Sequence, residues 1–337
     1  MIIVLRPNIS KRDEALVVKE IRRLGYQPHI MRGVARTVIG AIGDERTHHT
    51  LETLTAFPQV ESVMPVQKRF KLVSREAHPH NSTVTVREHA IGGQKFQVMA
   101  GPCSVESEKQ LLMTAHAVAK AGATVLRGGA FKPRTSPYEF QGLGEKGLKL
   151  LAKARRETGL AIITELLSEN HAEMMAEHAD ILQISARNAQ NFQLLIAAAK
   201  TGKPILLKRG LSMKIEEWLL AGEYVLANEN PNLMFCERGI RTFETYTRNT
   251  LDLSTIPIIK KESHCPIVID PSQGAGRADL VVAMCKGAVA MGADALLIEV
   301  HPNPAEAWSD GAQQVTLQGF VKLMDELRPF IAAAGRE

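Results

Sequence analysis

From Phe96 onward, short apolar runs alternate with longer amphipathic stretches, and the alternation repeats eight times. The apolar runs are Phe96–Ala100, Thr124–Arg127, Ala161–Glu165, Ile181–Ile184, Pro204–Lys208, Leu233–Glu237, Pro266–Asp270 and Ala295–Val300. Each is apolar almost throughout, as strands of a parallel sheet covered on both faces are. Each is followed by a stretch long enough for a helix, the last being Thr316–Ala334. Eight consecutive β/α units predict an α/β fold, a (β/α)₈ TIM barrel. A doubly wound open sheet is the alternative. Ahead of the first run, Thr83-Val84-Thr85-Val86-Arg87 alternates and is followed by Gly92-Gly93. That pattern predicts a hairpin covering the barrel's bottom.

Residues 1–67 follow a different rhythm. Strand-like runs at Ile2–Leu5, Pro28–Met31, Thr37–Ile42 and Val60–Pro65 enclose helix-like runs at Arg12–Leu24 and Glu45–Ala56. In the first helix Val17, Ile21 and Leu24 recur at i, i+4 and i+7, and Gly25 stops it. The order βαββαβ predicts a small ferredoxin-like α+β domain. Residues 68–82 are polar, include His78-Pro79-His80-Asn81, and read as a linker to a barrel domain at 83–337.

Composition narrows the function classes. The chain has 337 residues, 45% of them hydrophobic, which is enough for a large core. A net charge of +5 with 5% aromatics argues against nucleic acid and for local cationic pockets. Four cysteines without paired spacing argue against a disulfide framework or zinc knuckle, and no apolar stretch is long enough to span a bilayer. These features predict a cytoplasmic protein with no membrane partner.

Polar and charged residues gather where the predicted strands end, the face on which barrel enzymes carry their active sites. Cys103 follows Gly101-Pro102, Glu165 ends the third strand, Arg187 follows the fourth, and Lys208 ends the fifth. Arg238, Asp270 with Gln273, and Glu299 with His301 follow the sixth, seventh and eighth. The richest stretch is Leu126-Arg127-Gly128-Gly129-Ala130-Phe131-Lys132-Pro133-Arg134-Thr135-Ser136, with three cations and two hydroxyls. Arg127, Lys132, Arg187, Lys208 and Arg238 come from four strand ends converging on one mouth. Five cations so close repel one another unless anions join them, and phosphate suits arginine's two-pronged donor geometry.

The stretches GPCSVES, LRGGAFKPRTSPYEFQGLGEKGLKLL, ARNAQNF, LLKRG, IEEWLLAGEY, CERGIRTFE, TRNTLDLS and EVHP resemble 3-deoxy-D-arabino-heptulosonate 7-phosphate (DAHP) synthases. The subfamily resembled carries an N-terminal ferredoxin-like regulatory domain. The resemblance implies condensation of phosphoenolpyruvate with erythrose 4-phosphate, the first step of the shikimate pathway. It implies that Arg127, Lys132, Arg187, Lys208 and Arg238 hold phosphoenolpyruvate. Lys132 would also move a proton, Arg134, Thr135 and Ser136 would bind the sugar phosphate, and Asp270 would lie near the sugar hydroxyls. The sister enzyme of lipopolysaccharide synthesis, which uses arabinose 5-phosphate, carries Ala-Asn before Arg-Ser; Pro133-Arg134-Thr135 here favours the seven-carbon product. The resemblance further implies a tyrosine or phenylalanine effector acting through residues 1–67 and a homodimer or homotetramer.

One divalent metal (Mn²⁺, Mg²⁺, Fe²⁺, Co²⁺ or Zn²⁺) belongs to the family's pattern, bound by Cys, His, Glu and Asp. Cys103, Glu299 and Asp310 match, and Gln273 stands where His is expected. An amide oxygen is a weaker ligand than imidazole for first-row transition metals. Three consequences follow as alternatives: an enzyme using a weaker or harder ion, a chain with impaired activity, or a paralogue turned to another aldehyde or to a regulatory role. His301, two residues from Glu299 on the same strand side, is read either as a compensating nitrogen or as support for the ligands. Cys265, His264 and Cys285 read as packing residues.

Overall fold

The computed structural model describes residues 1–32, 36–43, 45–64, 69–134 and 136–337, with only the backbone of 45–49. They form two compact units, Met1–Arg69 and Phe70–Glu337.

In the first unit, β1 (Ile2–Leu5), β2 (Gln27–Arg32), β3 (Thr37–Ile42) and β4 (Val60–Met64) form an antiparallel sheet in the order β2-β3-β1-β4. The helix Lys11–Arg23 begins at Ser10, whose Oγ accepts the Asp13 N–H at 3.1 Å. It ends before Gly25, whose φ of +89° suits the residue after a helix C-cap. Val17 and Ile21 on its inner face pack with Ile3, Leu5, Ile39, Leu51, Leu54 and Val60 in a core of their own. The second helical stretch, Glu45–Ala56, is a 3-10 helix. The Thr53 and Thr55 hydroxyls bond back to the carbonyls three residues earlier, at 2.6 and 2.7 Å, which favours the tighter turn.

In the second unit, β5 (Val84–Val86) and β6 (His89–Ile91) pair as a hairpin. Eight parallel strands follow: β7 (Gln97–Gly101), β8 (Val125–Arg127), β9 (Ala161–Glu165), β10 (Ile181–Ile184), β11 (Ile205–Lys208), β12 (Leu233–Glu237), β13 (Ile267–Ile269) and β14 (Ala295–Glu299). They close into a barrel, and β14 pairs with β7 to complete it. The open doubly wound sheet is thereby excluded. Residues facing outward, such as Val98, Leu126, Leu182, Phe235 and Ile298, pack beneath the helices in one large cluster. Residues facing inward form a second cluster, and Val84, Val86 and Ile91 of the hairpin join it, closing the barrel floor with apolar side chains.

The stretch read as a linker, 68–82, packs on the barrel unit from Phe70 onward. Phe70 and Val73 enter its core. The N–H groups of Lys71, Leu72 and Val73 converge on the Glu223 carboxylate, the last two at 3.1 Å. Arg75 Nε donates to the Lys260 carbonyl at 3.0 Å, and Ser82 Oγ lies 2.7 Å from His264 Nδ1. These bonds tie the stretch to the barrel unit, while His78, Pro79, His80 and Asn81 stay exposed. No helix among the described residues is long and apolar enough to cross a membrane.

Candidate active site

The period of two along a strand builds the site. Val125, Ile163, Leu206, Cys236, Val268 and Leu297 point into the barrel among the apolar lining. Two residues onward on the same side come Arg127, Glu165, Lys208, Arg238, Asp270 and Glu299. These six strands therefore pass from apolar filling to one charged side chain as they reach the mouth, while β10 steps from Ile181 to the neutral Gln183. At the end of β7 the step lands on Gly101, where an added Cβ would lie 2.1 Å from the Arg127 carbonyl oxygen. This close approach leads the chain into Pro102-Cys103.

A cavity of about 450 Å³ opens at this end. Lys132, Arg134, Arg187, Lys208, Arg238, Arg241 and Arg248 line it, against the carboxylates of Glu139, Glu165 and Asp310. Lys208 Nζ lies 2.5 Å from Asp270 Oδ2 and 3.2 Å from Gln273 Oε1. Arg238 is carried on a loop braced by Glu237, whose Oε1 accepts the Gly239 N–H at 2.6 Å. Glu237 in turn meets Arg209 at 3.1 Å. Arg187 Nη1 donates to the Pro133 carbonyl at 3.0 Å, and Arg134 Nε to Glu139 at 2.7 Å. The Ser136 hydroxyl accepts the Tyr138 N–H at 3.3 Å within its own loop. Thr135 lies outside the described residues.

Beside the cations stands a second cluster. One ligand atom each from Cys103, Glu299 and Asp310 lies within 4.8 Å of the others. Cys103 Sγ is 3.3 Å from Asp310 Oδ2 and accepts from Lys132 Nζ at 3.1 Å. Glu299 accepts from Arg127 at 2.8 Å and from Gln313 Nε2 at 2.7 Å. Asp310 accepts from Arg248 at 3.1 Å and sits at φ +48°, a left-handed conformation that Asp tolerates better than most residues. Burial, with the Glu299 charge behind it, pushes the Cys103 thiol up to about 11. Burial also works against the Asp310 carboxylate, yet Arg248 and Lys132 outweigh it and hold that carboxyl below its usual range. For Lys132, burial opposes the charge, but Cys103 and Glu165 prevail and the ammonium is kept above its ordinary value.

Two buried polar atoms at this mouth lack a partner among the described residues: Glu165 Oε1 and Ser185 Oγ. His301, by contrast, has both ring nitrogens engaged. Its Nε2 lies 3.2 Å from Glu106 Oε2, and its Nδ1 accepts the Asn303 N–H at 3.1 Å. That leaves no lone pair for a metal, which removes the compensating-nitrogen reading. The four cysteines are free and buried.

Sequence reasoning passed over Arg248, Arg241 and Gln313. Arg248 lies inside TRNTLDLS, far from any strand end, so no register pointed to it. Gln313 follows Asp310 by three residues, a spacing with no chemical signature.

A family model described as the DAHP synthetase I family matches residues 76–332, and one for the DAHP synthase ferredoxin-like domain matches residues 1–68. The phospho-2-dehydro-3-deoxyheptonate aldolase of Thermotoga maritima is 49% identical over 335 residues, 99% of both chains. A 2-dehydro-3-deoxyphosphooctonate aldolase of Caulobacter vibrioides is 34% identical over 255 residues, 70% of this chain and 87% of that one. A crystal structure of the Thermotoga maritima DAHP synthase superposes with a TM-score of 0.94 at 48% identity, covering 100% of this chain and 98% of that one. A truncated form from the same organism gives 0.75 at 47% identity, covering 80% and 98%. With both units matched along their length, this chain belongs to the DAHP synthase family, in its form with an N-terminal ferredoxin-like domain.

Proposed function

We propose that the chain condenses phosphoenolpyruvate with erythrose 4-phosphate to give DAHP and phosphate. The observation that carries this is one cavity with seven cationic side chains beside the Cys103–Glu299–Asp310 trio. So many cations in one pocket call for more than one anionic group. Arg127, Lys132, Arg187, Lys208 and Arg238 bind phosphoenolpyruvate, and Arg134, Thr135 and Ser136 bind the sugar phosphate. Asp270, held by Lys208 and capping the turn at Gln273, faces the sugar hydroxyls. Lys132 stays protonated and so gives up a proton rather than accepting one. Carbon 3 of phosphoenolpyruvate forms the new bond to the aldehyde carbon, water adds at carbon 2, and phosphate departs. The unpartnered oxygens of Glu165 and Ser185 suit a cavity that holds polar guests.

The donor set at Cys103, Glu299 and Asp310, one thiol and two carboxylates, fits a divalent cation. Such an ion supplies Lewis-acid polarisation of the aldehyde oxygen. Gln273 takes the place where the family's pattern has His. Residues 1–67 serve as the site for a tyrosine or phenylalanine effector, in a homo-oligomer.

The test is phosphate release together with loss of the enolpyruvate absorbance, in chelator-treated protein and after adding each metal. Turnover with erythrose 4-phosphate is the expected result. Faster turnover with arabinose 5-phosphate would overturn the substrate assignment. Turnover appearing only in Gln273→His would show the native chain to be inactive.

A further inference from the structure

Gln273 lines the cationic cavity, and its side-chain hydrogen bonds run to the cations. Its Oε1 accepts from Lys208 Nζ at 3.2 Å, Arg238 Nη2 at 3.3 Å and Arg238 Nε at 3.4 Å. Lysine and arginine offer only donors, so the atom facing them is the oxygen, and the amide nitrogen is left for another partner. Among the described residues none accepts from that nitrogen, and Gln273 lines the cavity. The backbone is pinned from both sides. Its N–H donates to Asp270 Oδ1 at 2.9 Å, and its carbonyl accepts from Asn249 Nδ2 at 3.0 Å. An oxygen turned onto two cationic groups is badly placed to serve a third cation, because the three positive charges repel. One ligand atom each from the thiol and the two carboxylates lies within 4.8 Å of the others.

We propose that Gln273 has left the metal set and serves the anion half of the site. Its oxygen aligns Lys208 and Arg238, and its amide N–H donates to the carboxylate or phosphate of bound phosphoenolpyruvate. The divalent ion is left to Cys103, Glu299, Asp310 and solvent. This assignment rests on the substrate reading given above.

The experiment uses full-length, chelator-treated protein as wild type, Gln273→Ala and Gln273→Glu. Phosphoenolpyruvate binding is measured by titration calorimetry without metal. Mn²⁺ binding is measured separately, from the spin-resonance signal of the free ion. Gln273→Ala should weaken phosphoenolpyruvate by about three- to tenfold, the worth of one neutral hydrogen bond. Its Mn²⁺ affinity should stay within about twofold, as expected when no ligand is lost. Gln273→Glu places a rival carboxylate on Lys208 and Arg238, so it should weaken phosphoenolpyruvate further and leave Mn²⁺ within about threefold. A gain in Mn²⁺ affinity of about tenfold or more in Gln273→Glu, or a comparable loss in Gln273→Ala, would mark the residue as a ligand and overturn the proposal. Unchanged phosphoenolpyruvate affinity in both variants would overturn it equally. Wild type that binds no phosphoenolpyruvate would sink the substrate reading itself, which the wild-type titration reveals before any variant is examined.

Discussion

Lys208 and Asp270 meet at 2.5 Å with both side chains 1% exposed. Taking both charges out of water is expensive, and each is tolerable because the other is there. Removing one leaves the other buried and unpaired, at about 3–5 kcal/mol. Lys208→Ala should therefore lower the unfolding free energy by about 3 kcal/mol as well as abolish turnover. The double change with Asp270→Ala should restore part of the stability and none of the turnover, as read by urea unfolding and phosphate release. Equal stability in the single and double variants would refute the pairing. At this scale the strand-end cations were legible, because a period of two carries an apolar lumen residue to a charged one at the mouth. Arg248 and Gln313 were not, because their loops impose no period. The direction in which Gln273 turns was hidden as well, since it depends on Lys208 and Arg238, which come from other strands.

Among the elements, the strap from Phe70 to Ser82 departs most from its sequence. His264 lies beneath it, next to Ser82 Oγ, the Leu72 carbonyl at 2.8 Å and the ring of His78. Burial lowers its pKa from the usual 6.5; the Leu72 carbonyl pulls the other way, and the charges of His78 and Arg75 add to the lowering. The unfolded chain thus takes up the proton first as pH falls. The stability linked to His264 is complete above 6.5 and is lost as pH drops through the lower folded value. Thermal melting should show the midpoint falling between neutral and mildly acidic pH, and the fall should shrink in His264→Gln. An identical slope in both proteins would exclude His264 as the cause. The eight barrel strands were legible because each is a continuous apolar run between helical patterns. The strap was not, because its fixed conformation comes from Glu223, Lys260 and His264, all distant in sequence. The 3-10 form of Glu45–Ala56 escaped for a related reason. Apolar spacing announces a helix, but hydroxyls bonding back to the chain set its pitch.

In the whole molecule, the small unit carries its own core and the barrel unit contains every residue of the candidate site. Chains beginning at Phe70 should keep turnover and lose any response to tyrosine or phenylalanine, as read by calorimetry and phosphate release. Amino-acid binding that survives the cut would move the effector site into the barrel. The hairpin floor of Val84, Val86 and Ile91 has a consequence beyond packing. A cationic chamber sealed at one end by hydrocarbon sends its field lines out through the other, so the mouth acts as an electrostatic funnel into solution. Phosphorylated anions are then drawn in over distances comparable with the screening length, about 10 Å at 0.1 M salt. Capture, read as kcat/KM for phosphoenolpyruvate, should decline steadily with ionic strength while kcat changes little. A barrel open at both ends would leak that field and show a shallower decline.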